Sequence, residues 1–119
     1  NLIKEKNLIE VKGSLDRFRD LIHIDDVVEA WKLCLKKNKT NQIFNIASGK
    51  ATKFSTIISN LIKIIKPHQN VRVIQKGITY GDLKGSLADI NKTKKHLNFT
   101  AKIKLENGLL RMWQNENKR

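Results

Sequence analysis

The sequence is poor in residues that build crosslinks and metal clusters. Its 119 residues include one cysteine, Cys34, which excludes an intrachain disulfide and a cysteine-based metal cluster. The three histidines, His23, His68 and His96, are far apart in the sequence, so we expect no metal site. This cysteine usage is compatible with a reducing cytoplasm, which is the compartment we expect.

Long apolar runs and secretion signals are also missing. No apolar run approaches the roughly 20 residues that a helix needs to cross a bilayer, so the sequence predicts no membrane span. The first residues, NLIKEK, contain neither an initiator methionine nor the apolar core of a signal peptide. We therefore expect the chain to be a fragment of a longer protein.

The motifs of cofactor binding and of dehydrogenase catalysis are absent as well. The sequence has no glycine-rich G-x-G-x-x-G turn and no P-loop. Tyr80 and Lys84 have the Tyr-x-x-x-Lys spacing of short-chain dehydrogenases, but that chemistry needs both side chains one turn apart on a helix. Gly81 and Asp82 between them favour a loop, so we interpret this match as a coincidence. The sequence predicts no catalytic residue in this chain.

Basic residues strongly outnumber acidic ones, at 24 Lys and Arg against 11 Asp and Glu, for a net charge of +13. This excess supports one alternative function, a non-enzymatic basic module that binds nucleic acid or a protein partner. However, 19 of the 24 basic residues are Lys, and the few aromatic residues are scattered rather than arrayed for base stacking. We favour a solvated lysine-rich surface, in which a few charges attract the diphosphate of a small nucleotide.

Hydrophobic periodicity predicts alternating strands and helices, which is an α/β fold in one structural unit. The predicted strands cover residues 8–12, 19–24, 42–46 and 71–74, and the predicted helices cover residues 27–37, 53–65, 89–97 and 105–114. Asp25 or Asp26 is expected to cap the first helix and Asp89 the third, while Asp20 is interpreted as a cap or turn residue. Asn98 is expected to end the third helix in left-handed geometry.

The first predicted helix has apolar residues at helical spacing, namely Val27, Ala30, Trp31, Cys34 and Leu35. Because Cys34 lies on this apolar side, we interpret it as a small core residue rather than a nucleophile.

Four segments, in this order and at this spacing, resemble the extended short-chain dehydrogenases. They are RDLIHIDDVVEAW (residues 19–31), FNIASGKAT (residues 44–52), GDLKGSLADINKTKKHLNF (residues 81–99) and KLENGLLRMW (residues 104–113). Members of that family are NAD(P)-dependent epimerases, dehydratases and reductases of nucleotide-diphosphate sugars, among them UDP-glucose 4-epimerase. The resemblance covers most of the chain.

The resemblance implies that this chain is the C-terminal, substrate-binding part of such an enzyme, incomplete without an N-terminal Rossmann half. The NAD(P) site and the catalytic Tyr-x-x-x-Lys would lie upstream, so the fragment alone is expected to be inactive and to bind no cofactor. Residues 19–46 would pack on the Rossmann domain, with residues 44–46 as a strand of its sheet. The intact enzyme would act on a UDP-sugar and form a homodimer.

The resemblance also implies which residues hold the substrate. Arg19 corresponds to the arginine that grips the diphosphate, a task that suits the planar fork of a guanidinium. Asp82 corresponds to a carboxylate near the ribose, and the strand containing Glu10, Val11 and Lys12 offers backbone groups to the base. Ser86 occupies a position that is bulky in some members, so a small side chain there is expected to leave room for a larger sugar.

Two positions depart from the family pattern. A family arginine is replaced by Thr79, and a loop glycine is replaced by Leu15. The missing arginine puts standard diphosphate or ribose binding in doubt, and Arg17 and Lys76 are the candidates to replace it.

Overall fold

The computed structural model describes residues 7–38, 41–77, 80–81 and 83–118. This part of the chain alternates strands and helices: β1 (Leu8–Lys12), β2 (Phe18–Asp20), α1 (Ile24–Lys36), β3 (Ala51–Lys53), α2 (Phe54–Ile65), β4 (Arg72–Lys76), α3 (Asn91–Leu97) and α4 (Leu105–Glu116). The predicted α/β class and all four predicted helices are confirmed, with small shifts at their ends. The short strand β3 was not predicted.

The described strands form two separate two-stranded sheets. β1 and β4 run parallel, with Leu8 opposite Arg72 and Lys12 opposite Lys76. β2 and β3 run antiparallel, with Arg19 opposite Thr52. The second sheet is very short, and its other edge receives a single bridge between Phe18 and Gly85.

The start of α1 differs from the prediction. The predicted strand over residues 19–24 ends at Asp20, and the helix begins at Ile24, so Asp25 and Asp26 lie inside its first turn. The prediction that either aspartate caps the helix is therefore wrong. The cap is His23, whose Nδ1 accepts a hydrogen bond from the Asp25 amide at 3.2 Å.

Both aspartates bind other segments instead of the helix end. The buried Asp26 carboxylate accepts hydrogen bonds from the amides of Lys102, at 3.1 and 3.2 Å, and Ile103, at 2.9 Å. Asp25 forms an ion pair with Arg111 of α4, with 3.1 Å between Nη1 and Oδ2. Acidic groups in a first turn also suit the positive end of the helix dipole. Asp25 and Asp26 thus link the start of α1 to α4 and to the segment that precedes it.

The predicted strand over residues 42–46 is not present in the described structure, and Ile43 is exposed. A strand is defined by ladder hydrogen bonds to a neighbour, and no described segment pairs with this one. It is held by α3 instead. The Asn45 side-chain amide donates to the Asp89 carbonyl at 3.0 Å, and the Asn45 carbonyl accepts from the buried Thr93 hydroxyl at 2.7 Å.

The third helix ends as predicted, at Asn98 in left-handed geometry with φ 54° and ψ 39°. At its start, the cap position is Ile90 rather than Asp89. The Asp89 carboxylate nevertheless accepts from the amide of Asn91, the first helical residue, at 2.9 Å. Asp89 therefore satisfies one of the unpaired amides at the start of the helix, although it lies one position before the cap and not at it.

The main core lies between α1 and α3. Ala30, Leu97 and Phe99 are buried there, and Cys34 packs against them. Cys34 is therefore a core neighbour, as predicted. No helix in the described ranges is both long and apolar enough to cross a membrane.

The opposite side of α1 is largely exposed to solvent. Four of its apolar side chains, spaced three or four residues apart, are exposed by 65%, 43%, 68% and 82%: Ile24, Val28, Trp31 and Leu35. The helix therefore has two apolar sides, of which one is covered within the described residues. We call these four side chains the outer stripe of α1.

Candidate functional site

Arg19 lies in the middle of β2, where three segments meet. Its strand pairs with β3 on one side, and the loop of residues 83–86 follows it on the other. The half-buried Arg19 donates from Nη1 to the Phe18 carbonyl at 2.8 Å and to the Leu83 carbonyl at 3.1 Å. The guanidinium therefore bridges the strand and the loop.

Backbone hydrogen bonds hold this loop against β2. The Phe18 amide donates to the Lys84 carbonyl at 3.0 Å, and the Ser86 amide donates to the Phe18 carbonyl at 3.3 Å. The approach depends on Gly85, because a Cβ atom there would lie 2.2 Å from ring atoms of Phe18. The segments that carry Arg19 and the exposed Ser86, two predicted substrate-binding residues, are thus neighbours.

The third predicted residue on this side, Asp82, lies outside the described residues, as does Thr79. Gly81, just before Asp82, has a φ of 78°, a geometry that favours glycine. The nearby Tyr80 and Lys84 lie in the loop rather than one turn apart on a helix. The roles assigned to Asp82 and Ser86 stay predictions.

Glu10, Val11 and Lys12 lie in the other sheet. Val11 is buried, and Glu10 forms an ion pair with Lys76 across the β1–β4 ladder, with 2.7 Å between Oε1 and Nζ. Among the described residues β4 is the strand partner of β1, so the second edge of β1 carries no strand. The backbone groups of that edge are in a position to meet a ligand or another segment.

Both candidate replacements for the missing arginine already contact other side chains. Lys76 pairs with Glu10, and the guanidinium carbon of Arg17 lies 4.0 Å from the centroid of the Phe54 ring. The Lys76–Glu10 pair is exposed and contributes little energy, so it does not prevent a role of Lys76 in anion binding.

Sequence reasoning missed the main function of Asp20. Its carboxylate accepts hydrogen bonds from the Ser48 amide and hydroxyl, at 2.8 and 2.6 Å, and from the amides of Gly49, at 2.9 Å, and Ala88, at 3.4 Å. These partners lie 28, 29 and 68 residues away in the sequence. Local patterns carry no signal of such contacts, so the interpretation as a simple cap or turn residue was wrong.

An apolar groove lies on the outer side of α1. It has a volume of about 650 Å³ between the start of α1 and α4, and Leu21, Ile24, Leu109 and Met112 are among the residues that line it. Ile24 both lines the groove and begins the outer stripe of α1, so the two surfaces meet at this side chain.

The described ranges contain no group of three or more His, Cys, Asp or Glu side chains that is placed to hold a metal ion. No glycine-rich turn joins a strand to a helix there either, and that turn is the arrangement that holds a dinucleotide.

The family model described as GDP-mannose 4,6 dehydratase matches residues 1–112. The chain belongs to this family of NAD-dependent nucleotide-sugar epimerases and dehydratases. The UDP-glucuronate 4-epimerase of Thermodesulfobacterium geofontis is 30% identical to the chain over 119 residues, which is 97% of this chain and 36% of that protein.

Solved structures of the family have the same fold. The UDP-glucose 4-epimerase of Thermotoga maritima with UDP-glucose matches with a TM-score of 0.82 and 26% identity, over 98% of this chain and 37% of that one. The UDP-glucuronic acid 4-epimerase of Bacillus cereus in complex with UDP-glucuronic acid and NAD matches with a TM-score of 0.79 and 25% identity, over 92% and 35%. The chain thus spans about a third of the length of its relatives and corresponds to their C-terminal parts.

Proposed function

We propose that this chain is the nucleotide-sugar-binding portion of an NAD-dependent epimerase or dehydratase, with a UDP-sugar as its substrate. The observation that carries the proposal is the contact of Arg19 with the loop of residues 83–86. The family membership supports it, as do the UDP-glucose and UDP-glucuronic acid bound in two related structures.

In this proposal Arg19 binds the diphosphate, and Ser86 lies beside the sugar. A guanidinium suits the diphosphate because its parallel donors meet two phosphate oxygens at once. The backbone of β1 from Glu10 to Lys12 faces the base, and Asp82 binds near the ribose. Such anchoring far from the reacting carbon supplies positioning rather than bond breaking.

The catalytic groups and NAD(P) belong, in this proposal, to the part of the enzyme that corresponds to the first two-thirds of its relatives. The cofactor supplies the hydride chemistry when it is bound. The chain contributes the hold on the substrate, and alone it has no activity. The intact enzyme is a homodimer.

The exposed apolar side chains on the outer side of α1 support a proposal for how the parts fit together. Residues 19–46 pack against the Rossmann domain, and the outer stripe and the adjoining groove are covered by it. Exposed apolar area of this kind on a small domain is typical of a surface that is buried in the working protein.

Calorimetric titration of the chain with UDP, UDP-glucose and NAD tests the proposal. We expect heat from UDP and UDP-glucose, none from NAD, and loss of the UDP heat in Arg19→Ala. Arg111→Ala is the matched control, because it removes an arginine from α4, where its partner is Asp25. Equal binding by the Arg19→Ala and Arg111→Ala variants would contradict the role of Arg19, and an absence of UDP binding by the wild type would contradict the proposed function of this chain.

A further inference from the structure

The carboxylate of Asp20 accepts four hydrogen bonds from residues that lie far away in the sequence. It receives three amides and one hydroxyl at 2.6–3.4 Å, from the turn at Ser48 and Gly49 and from Ala88. Asp20 itself ends β2, directly after Arg19. One half-buried carboxylate thus joins the end of β2 to two distant segments.

We propose that Asp20 is a positioning residue, which holds Arg19 and the segment from Ser86 to Ala88 in one fixed arrangement for binding the nucleotide diphosphate. This inference rests on the proposed function. It follows from two contacts of neighbouring residues with β2. The Ala88 amide donates to the Asp20 carboxylate, and the Ser86 amide donates to the Phe18 carbonyl. The loop that Arg19 contacts at Leu83 is therefore pinned at two points beyond that contact.

The negative charge of Asp20 is essential to this arrangement. The four groups that bind it all donate, two to each oxygen, so a neutral amide at this position would turn its NH₂ group toward at least one backbone amide in either orientation. The turn packs closely against Ile90, since Gly49 has a φ of 72° and a Cβ atom there would lie 2.5 Å from Ile90 Cδ1. A change at Asp20 is therefore expected to displace the loop rather than the turn.

A second carboxylate provides a control. Asp26 is buried and also accepts two distant backbone amides, at Lys102 and Ile103, but these lie before α4 and not at the loop. If both aspartates merely stabilise the fold, their Asn variants should have the same kind of effect. If Asp20 positions Arg19, the effect of an Arg19 substitution on UDP affinity should change in Asp20→Asn and stay the same in Asp26→Asn.

A double-mutant cycle on UDP affinity separates these cases. We combine Arg19→Lys with Asp20→Asn and, as the control, with Asp26→Asn, and measure binding at a temperature where circular dichroism shows every variant folded. We expect Asp20→Asn to weaken UDP binding about tenfold, as loss of a charge-assisted contact would. In that background Arg19→Lys should have less than half of its effect on log Kd, while in Asp26→Asn it keeps the full effect. An undiminished Arg19→Lys effect in Asp20→Asn would overturn the proposal.

Amide hydrogen exchange provides a readout that needs no ligand. In Asp20→Asn the Ser86 and Ala88 amides should exchange at least about tenfold faster, since their hydrogen bonds open more often, while amides in α1 stay protected. Unchanged exchange at Ser86 overturns the positioning role whether or not UDP binds. If the wild type binds no UDP but Ser86 exchange rises in Asp20→Asn, the proposed function fails and the positioning role of Asp20 is supported.

Discussion

The two sides of α1 have similar apolar residues but very different surroundings. On the inner side Ala30 is fully buried against Leu97 and Phe99, whereas on the outer side Trp31 and Leu35 are 68% and 82% exposed. The inner side therefore stabilises this chain by itself, and the outer side contributes less until something covers it. Apolar spacing along a helix shows that a residue is suited to burial, but not which part of the protein buries it.

The largest effect that separates the two sides is expected from matched leucine truncations. Leu97→Ala should lower the free energy of unfolding by about 2–5 kcal/mol, because it removes a fully buried side chain and leaves a cavity. Leu35→Ala should change it by less than about 0.5 kcal/mol. Urea denaturation of the two variants measures both values, and equal losses would contradict the assignment of one core and one bare side.

The next largest effect is expected at Gly85, where the comparison moves from the core to the loop. Gly85→Ala should cost about 1–3 kcal/mol through overpacking against the Phe18 ring, and it should weaken UDP binding by displacing the loop from Arg19. Gly77→Ala is the control for the loss of a glycine. Its φ of 60° strains alanine, but the added Cβ would meet nothing within 4 Å. Thermal denaturation and UDP titration of both variants check this, and equal affinities would show that the close approach of Gly85 to Phe18 is not needed for binding.

A third prediction concerns self-association through the outer stripe. Trp31→Glu should reduce association of the chain at high concentration, because it places a charge in the middle of the stripe, while its stability should change by less than about 0.5 kcal/mol. Sedimentation velocity over a range of concentrations measures this. Lys32→Glu, on the neighbouring exposed position, is the charge control. Equal association of the two variants and the wild type would contradict the prediction that the chain self-associates through the outer stripe.

The smallest effect is expected for the ion pair beside the groove. Arg111→Ala should cost no more than about 1 kcal/mol, because the two side chains are 53% and 61% exposed and salt screens such pairs. Thermal denaturation at low and high salt should show a difference that shrinks as salt rises. A larger loss that persists at high salt would mean that Arg111 supports the groove by packing rather than by charge.

The sequence was sufficient for the features that depend on neighbouring residues. The spacing of apolar residues predicted three of the four helices, the start and stop signals at Asp89 and Asn98 predicted α3, and Asn98 was correctly predicted to end it. The four family-like segments predicted the family, which the family model confirms over residues 1–112. These signals are local or follow the order of the chain, so one sequence contains them.

The features that the sequence did not predict depend on distant partners. Whether residues 42–46 form a strand depends on a neighbour to pair with, and the contacts of Asp20 and Asp26 lie up to 77 residues away. The exposure of Trp31 and Leu35 likewise depends on what packs against α1. For the site, the sequence suggested Arg19 and Ser86 only through the family resemblance, and it missed the carboxylate that joins their segments.

The most direct test of the central claim is a UDP titration of the labelled chain followed by amide chemical shifts. If the chain is the nucleotide-sugar-binding portion of its family's enzymes, the shifts should concentrate at Arg19 and at residues 83–86, with a second group at residues 10–12. Ala30 and Leu97, in the α1–α3 core, should not move. Shifts confined to the groove between α1 and α4, or none at saturating UDP, would contradict the account.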